Sequence, residues 1–496
     1  MSVSKRPAIQ RLAQRFPEAV ALLSLVTTVA GCKVPQLCCA DHGKAIPSTF
    51  NGQTSSENSG QLDLHQFFND PMLTSLIDQA MVDNQELKIL AQDIRIAQNE
   101  IMARQGAYLP FVWFGGGAGV EKPSFFTPQG AVEDQLTVNG RGFPDPLPDF
   151  LVATNVSWEI DIWGKLRNAK NAACLRYLGT AEGRNYVITR LVAEISENYY
   201  ELLALDQRLQ TLDKTISLQE KSRDVATAMK EAARGTELAV QRFQAEVRKN
   251  QSEKLLIQQR IVETENRINF LAGRFPQQVD RAAVDFFELE LPLLSVGVPS
   301  QLLQNRADIR QARQELAASG LDVKVAEARF YPSLVLSAGV GYRAFDGRYL
   351  FSTPESIIYN AAGEVVAPLI NRKAIKADYL NANAEQLQAV YNYQKVVLNA
   401  FTEVMNSMTK VENYGKSIEL KRQQLASLEA SVESATRLFQ NARAEYVEVL
   451  LAQRDLNEAR FDLIEMKQGQ LSATVRAYQA LGGGMQPRGF DVALSR

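Results

Sequence analysis

The chain has 496 residues with 54 Lys and Arg against 56 Asp and Glu, a formal charge of −2. It therefore has no basic excess to neutralise phosphates, which excludes a nucleic-acid-binding role. Hydrophobic content of 46% with 22% charged residues marks a folded chain. The two histidines (His42, His65) and four cysteines (Cys32, Cys38, Cys39, Cys174) have no zinc spacing, and neither a P-loop nor G-x-S-x-G occurs, so no enzyme and no cofactor is expected.

Residues 1–31 read as an export signal: Lys5, Arg6, Arg11 and Arg15 precede the apolar run 19–30, which is too short to span a bilayer as a helix. The run ends in Val29-Ala30-Gly31-Cys32 (29–32), similar to the bacterial lipobox in which the cysteine is acylated. The next residue is Lys33, not the aspartate that favours inner-membrane retention. Cleavage before Cys32 leaves 50 basic against 55 acidic residues.

The body is an internal repeat. "GAYLPFVWFGGGAGV" (106–120) resembles "ARFYPSLVLSAGVGY" (328–342) at an offset of 222, with Pro110 matching Pro332. Further on an offset of 207 pairs Tyr186 with Tyr393, Ala193 with Ala400 and Asn250 with Asn457; a longer Gly/Pro-rich loop between about 120 and 155 accounts for the change. The first copy spans 75–279, with a helix over 75–106, strands about 107–119 and 151–163, and a helical hairpin 165–273. A linker 280–303 leads to the second copy, 304–485, with a helix over 304–330, strands about 331–343 and 360–370, and a hairpin 373–481; 486–496 is a tail. Within "NVSWEIDIW" (155–163), Trp158, Ile160 and Ile162 alternate with Ser157, Glu159 and Asp161, giving one apolar and one acidic face. In an outer-membrane barrel the apolar face meets lipid and Glu159 and Asp161 face a wet lumen. Trp113, Trp158 and Trp163 are expected in an interfacial girdle.

The long helices carry 3-4 spaced seams: Leu202, Leu205, Leu209, Leu212 and Ile216, then Leu425, Leu428, Val432, Ala435 and Phe439. Breaks at "ARGTE" (233–237) and "NARAE" (441–445) turn each chain back on itself. The expected fold is mainly α with a small membrane β part, a duplicated strand and long-helix-hairpin repeat. Four strands cannot close a barrel in lipid, so an oligomer is expected.

"FFNDPMLTSLIDQAMVDNQELKILAQDIRIAQNEIMARQGAYLP", "VSWEIDIWGKLRNAKNAA", "VPSQLLQNRADIRQARQELAASGLDVKVAEARFYPSLVLSAGVGY" and "LLAQRDLNEARFDLIEMKQGQLSATVRAYQALGGG" resemble, in this order, TolC-like outer-membrane efflux factors of the NodT-type lipoprotein branch. The resemblance implies a homotrimer with a 12-stranded β-barrel continuing into a periplasmic α-helical barrel. It also implies that 32–74 is a lipid-anchored tether with an equatorial segment and that 280–303 is equatorial. Each short helix would stack end to end on a returning helix. The implied function is a passive, gated conduit in the outer membrane, fed by an inner-membrane RND-type pump through a periplasmic membrane-fusion adaptor, with no nucleic acid involved. At the hairpin turns it implies adaptor contact through Arg234, Gly235, Thr236 and Ala442, the last taken as counterpart of Gly235 by the 207 offset. Glu445 and Glu448, three apart on one helix face, with Arg443 beside them, are its aperture candidates; Leu451 stands where relatives often carry an acid. A type I secretion channel and a non-conducting periplasmic coiled-coil adaptor or scaffold stay open as alternatives. Radiolabelled palmitate is expected on the native chain and absent from Cys32→Ala; equal labelling would remove the anchor.

Overall fold

The computed structural model describes residues 34–38, 43, 45–50, 57–138, 140–282, 285–292, 294–368, 370, 372–441 and 443–484. The lipobox with Cys32, and Ala442, lie outside them. Of these described residues, those within 34–38, 95–178 and 314–391 form one compact unit, and those within 43–94, 179–313 and 392–484 form another.

The first unit holds the sheet. Strands β1 (Phe111–Glu121), β2 (Leu147–Ile160), β3 (Ser333–Ala344) and β4 (Ile357–Val366) are antiparallel in the order β1-β2-β3-β4. The preceding helix runs on to Tyr108, so β1 starts later than expected, and β4 lies nearer the loop before it. β2 begins earlier and ends at Ile160, so the alternation read through Trp163 stops short. The connection 122–146, expected as a bare loop, contains the helix Pro128–Glu133 and a two-stranded ribbon pairing Thr137–Val138 with Arg141–Gly142.

Register and alternation assign the faces. One carries Val112, Phe114, Val120, Val152, Val156, Trp158, Ile160, Leu334, Leu336, Val340, Tyr342, Ile357, Tyr359 and Val365. The other carries Asp149, Asn155, Ser157, Glu159, Ser337, Arg343, Asn360 and Glu364 among small and apolar residues. Trp113 belongs to this second face, stacked on Phe111 at 5.7 Å, which removes it from a lipid-side girdle. Trp163 lies beyond the strand, stacked on Tyr331 at 4.7 Å with its indole N–H donated to Pro332 O. Val34 and Leu37 of the N-terminal segment pack against Val323, Phe330 and Tyr379.

The longer helices are α1 (Pro71–Asp83), α2 (Gln85–Tyr108), α3 (Lys165–Glu231), α4 (Glu237–Leu271), α5 (Ala307–Ala328), α6 (Lys373–Gln440) and α7 (Tyr446–Ala480), with the unit boundaries falling inside α2, α3, α5 and α6. With 67 residues, α3 is about 100 Å long at 1.5 Å per residue. None of the described helices is long and apolar enough to cross a membrane. The helix expected over 75–106 is two helices, because Asn84 breaks it: its Oδ1 accepts from Leu87 N and its Nδ2 donates to Leu271 O.

The second unit is cored by Phe67, Leu73, Ile77, Ile195, Tyr199, Leu202, Ile268 and Tyr478, where Phe67 and Tyr478 stack at 3.9 Å. The α3 seam continues through Leu205, Leu212 and Ile216 against Ile257 of α4, with Phe461 of α7 beside it. The α6 seam is covered at Val432 and Phe439 but only half-buried at Leu425 and Leu428.

Both returning helices end against the start of a short helix. At the first joint Leu271 O receives Asn84 Nδ2 at 2.8 Å, and Gly273, at φ +71°, approaches the Asp83 carbonyl. At the second, Ala480 O receives Arg306 Nη1 at 3.1 Å, and Gly482, at φ +92°, approaches Asn305 O. The Arg306 side chain, 5% exposed, also pairs with Asp308 at 2.7 Å and Glu403 at 2.8 Å. Removing one member of such a buried network costs about 3–5 kcal/mol. Arg306→Ala is therefore expected to lower the urea midpoint of the full-length protein markedly, whereas Arg104→Ala, at an exposed i,i+4 pair, should shift it little.

Candidate functional site

Two places carry the sequence-derived candidates: the hairpin turns in one unit and the polar sheet face in the other. The first turn is closed by Arg234 N donating to Met229 O at 2.8 Å and Ala233 N to Lys230 O at 2.9 Å, the hydrogen-bond pattern of a helix ended by a left-handed residue. That residue is Ala233, at φ 56°, not Gly235. Gly235 has a different reason to be small: a Cβ there would lie 3.0 Å from Lys230 N. Thr236 caps α4, its side-chain oxygen accepting from Ala239 N. Lys230 and Glu237 pair across the turn at 2.5 Å, and Gln241 also donates to Glu237. The hydrogen bond from Gln241, then that from Lys230, holds the Glu237 carboxyl below its ordinary pKa.

The second turn repeats the closure with Arg443 N donating to Leu438 O at 2.9 Å. Glu445 takes the N-cap position of α7 without the side-chain capping bond that Thr236 makes to α4. Turn closures, N-caps and the ends of α4 and α7 all correspond at an offset of 209. This corrects the 207 alignment here: Gly235 corresponds to Ala444, not Ala442. Under both turns lies one apolar cluster, Ala226, Ala239, Phe243, Phe439 and Val449 with Met229, Tyr446 and Leu450 around it.

Val449 and Gln453 point inward on α7, so Glu445, Glu448, Leu451 and Asp455 line its exposed side at 3-3-4 spacing. Asp455 was missed by the sequence reading, although the spacing alone could have found it. Arg443 is exposed, with no ion pair to Glu445 or Glu448 among the described residues.

On the sheet, Glu159 lies on the polar face, level with Glu364 across Val335, and pairs with Lys165 at 2.5 Å. Glu364 lies inside the strand expected over about 360–370, but its register against Val335 and Glu159 is set only by the strand pairing. Asp149 and Arg343 form a two-pronged pair at 2.9 Å on the same face. Asp161 is corrected: it stands past the end of β2, its side chain 2% exposed, accepting from Leu166 N and Arg167 N at the start of α3. Burial would raise its pKa, but the backbone N–H donors and the Arg167 guanidinium hold it below the ordinary carboxylate value. It caps a helix and faces no lumen. Among the described residues no three His, Cys, Asp or Glu side chains gather as a metal ion would require.

The family model for outer membrane efflux proteins matches residues 76–274 and 298–483. The chain belongs to the outer membrane efflux protein family. It is 26% identical over 436 residues to the cation efflux system protein CusC of Escherichia coli K12, covering 88% of this chain and 91% of CusC. It is 27% identical over 473 residues to the pyoverdine export outer membrane protein OpmQ of Pseudomonas putida, covering 95% and 98%. In fold it matches the open state of the Neisseria gonorrhoeae MtrE outer membrane channel, with a TM-score of 0.78, 20% identity and coverage of 91% and 98%. The mainly helical architecture with strand hairpins and long helical hairpins is that of the family, and the protein is an outer-membrane channel component of bacterial efflux.

A consequence for the first turn follows from Ala233. A left-handed alanine carries a cost of about 1–2 kcal/mol that glycine avoids. Ala233→Gly is expected to raise the urea midpoint without changing helix content; a lowered midpoint would place the left-handed turn elsewhere.

Proposed function

We propose that three copies of this chain close one barrel of twelve strands and act as a passive, gated export conduit. The observation that carries the reading is the sheet: one face is apolar along all four strands, the other mixed and charged, and β1 and β4 are edges without partners among the described residues. Open edges in lipid leave unpaired N–H and C=O groups, each costing several kcal/mol. Copies of the chain that pair β4 of one with β1 of the next remove every edge. The half-covered α6 seam and the exposed Leu398 and Leu420 give the helices apolar surface for the same assembly.

In this reading residues 1–31 are removed and Cys32 is acylated, tethering 32–74 to the outer membrane. The first copy of the repeat (75–279) and the second (304–485) contribute equivalent hairpins. Arg234, Gly235, Thr236 and the second turn meet a periplasmic membrane-fusion adaptor, and an inner-membrane RND-type pump delivers small molecules or metal ions. Glu445 and Glu448, with Asp455 on the same exposed side, ring the aperture three times over and favour cations there.

Purified protein in planar bilayers should show discrete current steps. Glu445→Gln with Glu448→Gln should lower the cation-to-anion permeability ratio about twofold or more and shorten open time, because removing the like-charge repulsion that opposes closure favours the narrowed aperture. A protein that passes no current in either form is not a conduit.

A further inference from the structure

Between the seam of α3 and the apolar cluster beneath the turns lies a buried layer of uncharged polar side chains. On α3 the inward positions change from Leu212 and Ile216 to Thr215, Gln219 and Ser222, then return to Ala226. Asn250 of α4 donates to Gln219 Oε1 at 2.7 Å, both side chains more than nine-tenths buried. From α7, Gln453 donates to Ser222 Oγ at 3.0 Å, and Asn457 Oδ1 lies 2.9 Å from the Thr215 hydroxyl, which shares its proton with Thr211 O at 3.0 Å. Gln453 is 3% exposed, and its Oε1 has no partner among the described residues.

Apolar contacts have no direction, so helices sliding along them lose little until they part. Amide and hydroxyl pairs have one satisfied geometry, and a one-residue slip of 1.5 Å along a helix axis breaks it. Each buried partner left unmade resists the slip. The layer therefore acts as a detent between long apolar contacts on one side and a small cluster on the other. Its two sides are not equivalent. α4 is joined to α3 through the first turn, so the Asn250–Gln219 pair ties together what the chain already ties. α7 belongs to the other hairpin, and there the Gln453–Ser222 and Thr215–Asn457 pairs are the directional links between the hairpins at this level.

We propose that Gln453–Ser222 and Thr215–Asn457 form a register latch between the two hairpins, one that sets how readily the second turn, with Glu445 and Glu448, moves away from α3. Its bearing on gating rests on the conduit reading above; its bearing on the motion of α7 does not. The half-satisfied Gln453 amide makes this the weaker side of the layer and the place where the hairpins part.

The test uses full-length protein and two paired variants. Ser222→Ala with Gln453→Leu replaces the inter-hairpin pair by apolar groups, a change that leaves overall stability nearly unaltered. Gln219→Leu with Asn250→Leu does the same within the first hairpin. Hydrogen exchange at the α7 amides 449–453 and open time in planar bilayers are measured for both. The expected result is at least a tenfold rise in exchange and open time for the first variant, less than twofold for the second, and unchanged exchange at 205–212 in both. Equal effects of the two variants, or exchange within twofold of the native chain in the first, would overturn the latch. Tenfold faster exchange without any current from native or variant protein would keep the latch and remove the conduit.

Discussion

A helix that ends inside a protein must find partners for its last carbonyls, and this chain meets that requirement twice at the same place in its plan. The Leu271 carbonyl is met by Asn84 and the Ala480 carbonyl by Arg306, with a left-handed glycine two residues on in each case. Asn84 and Arg306 are separated by the same 222 residues that separate the two strand motifs. A short amide and a long guanidinium thus do one job: each ties the end of a returning helix to the beginning of a short helix. The long helices depend on these joints because a hairpin arm held only at its turn would be free to fray.

The sheet answers a different constraint. Its apolar face runs along all four strands, while the charged groups, the Asp149–Arg343 pair and the two level glutamates, keep to the other. Such a division suits lipid on one side and water on the other, with strand edges that need a second copy. The change from strand to helix is made by a buried carboxylate. Asp161 ends the pleat and satisfies the first free N–H groups of α3, so the same acid that looks like one more alternating strand residue is the cap that lets the long helix begin.

Along the hairpins, packing alternates between apolar and polar zones. The α3 seam is covered on two sides, by α4 and α7, and its interruption at Gln219 and Ser222 trades area for direction. The turns beyond rest on a small cluster in which alanines take positions that leucines hold higher up. Less apolar area is buried there, so less free energy opposes separation. That gradient leaves the least packing free energy at the end where the exposed carboxylates stand.

The repeat, the helical hairpins, the strand pairs and the acidic stripe of Glu445 and Glu448 were legible in the residues, because periodicity records which side of an element is buried. The family was legible through its ordered motifs. What was not legible were the places where one side chain has two plausible duties. Alternation could not tell Asp161 as a strand residue from Asp161 as a helix cap, since the two differ only in where the backbone turns. Similarity of side chains aligned the second hairpin at 207, whereas caps and turn closures align it at 209: sequence resemblance follows buried faces, which recur every three or four residues, but a turn occurs once. By itself the sequence determined the elements, their order and their duplication, all consequences of local pattern. Tertiary structure alone decided which amide meets which carbonyl, where each strand ends, and that the left-handed residue of the first turn is an alanine, because those depend on the geometry of groups far apart in the chain.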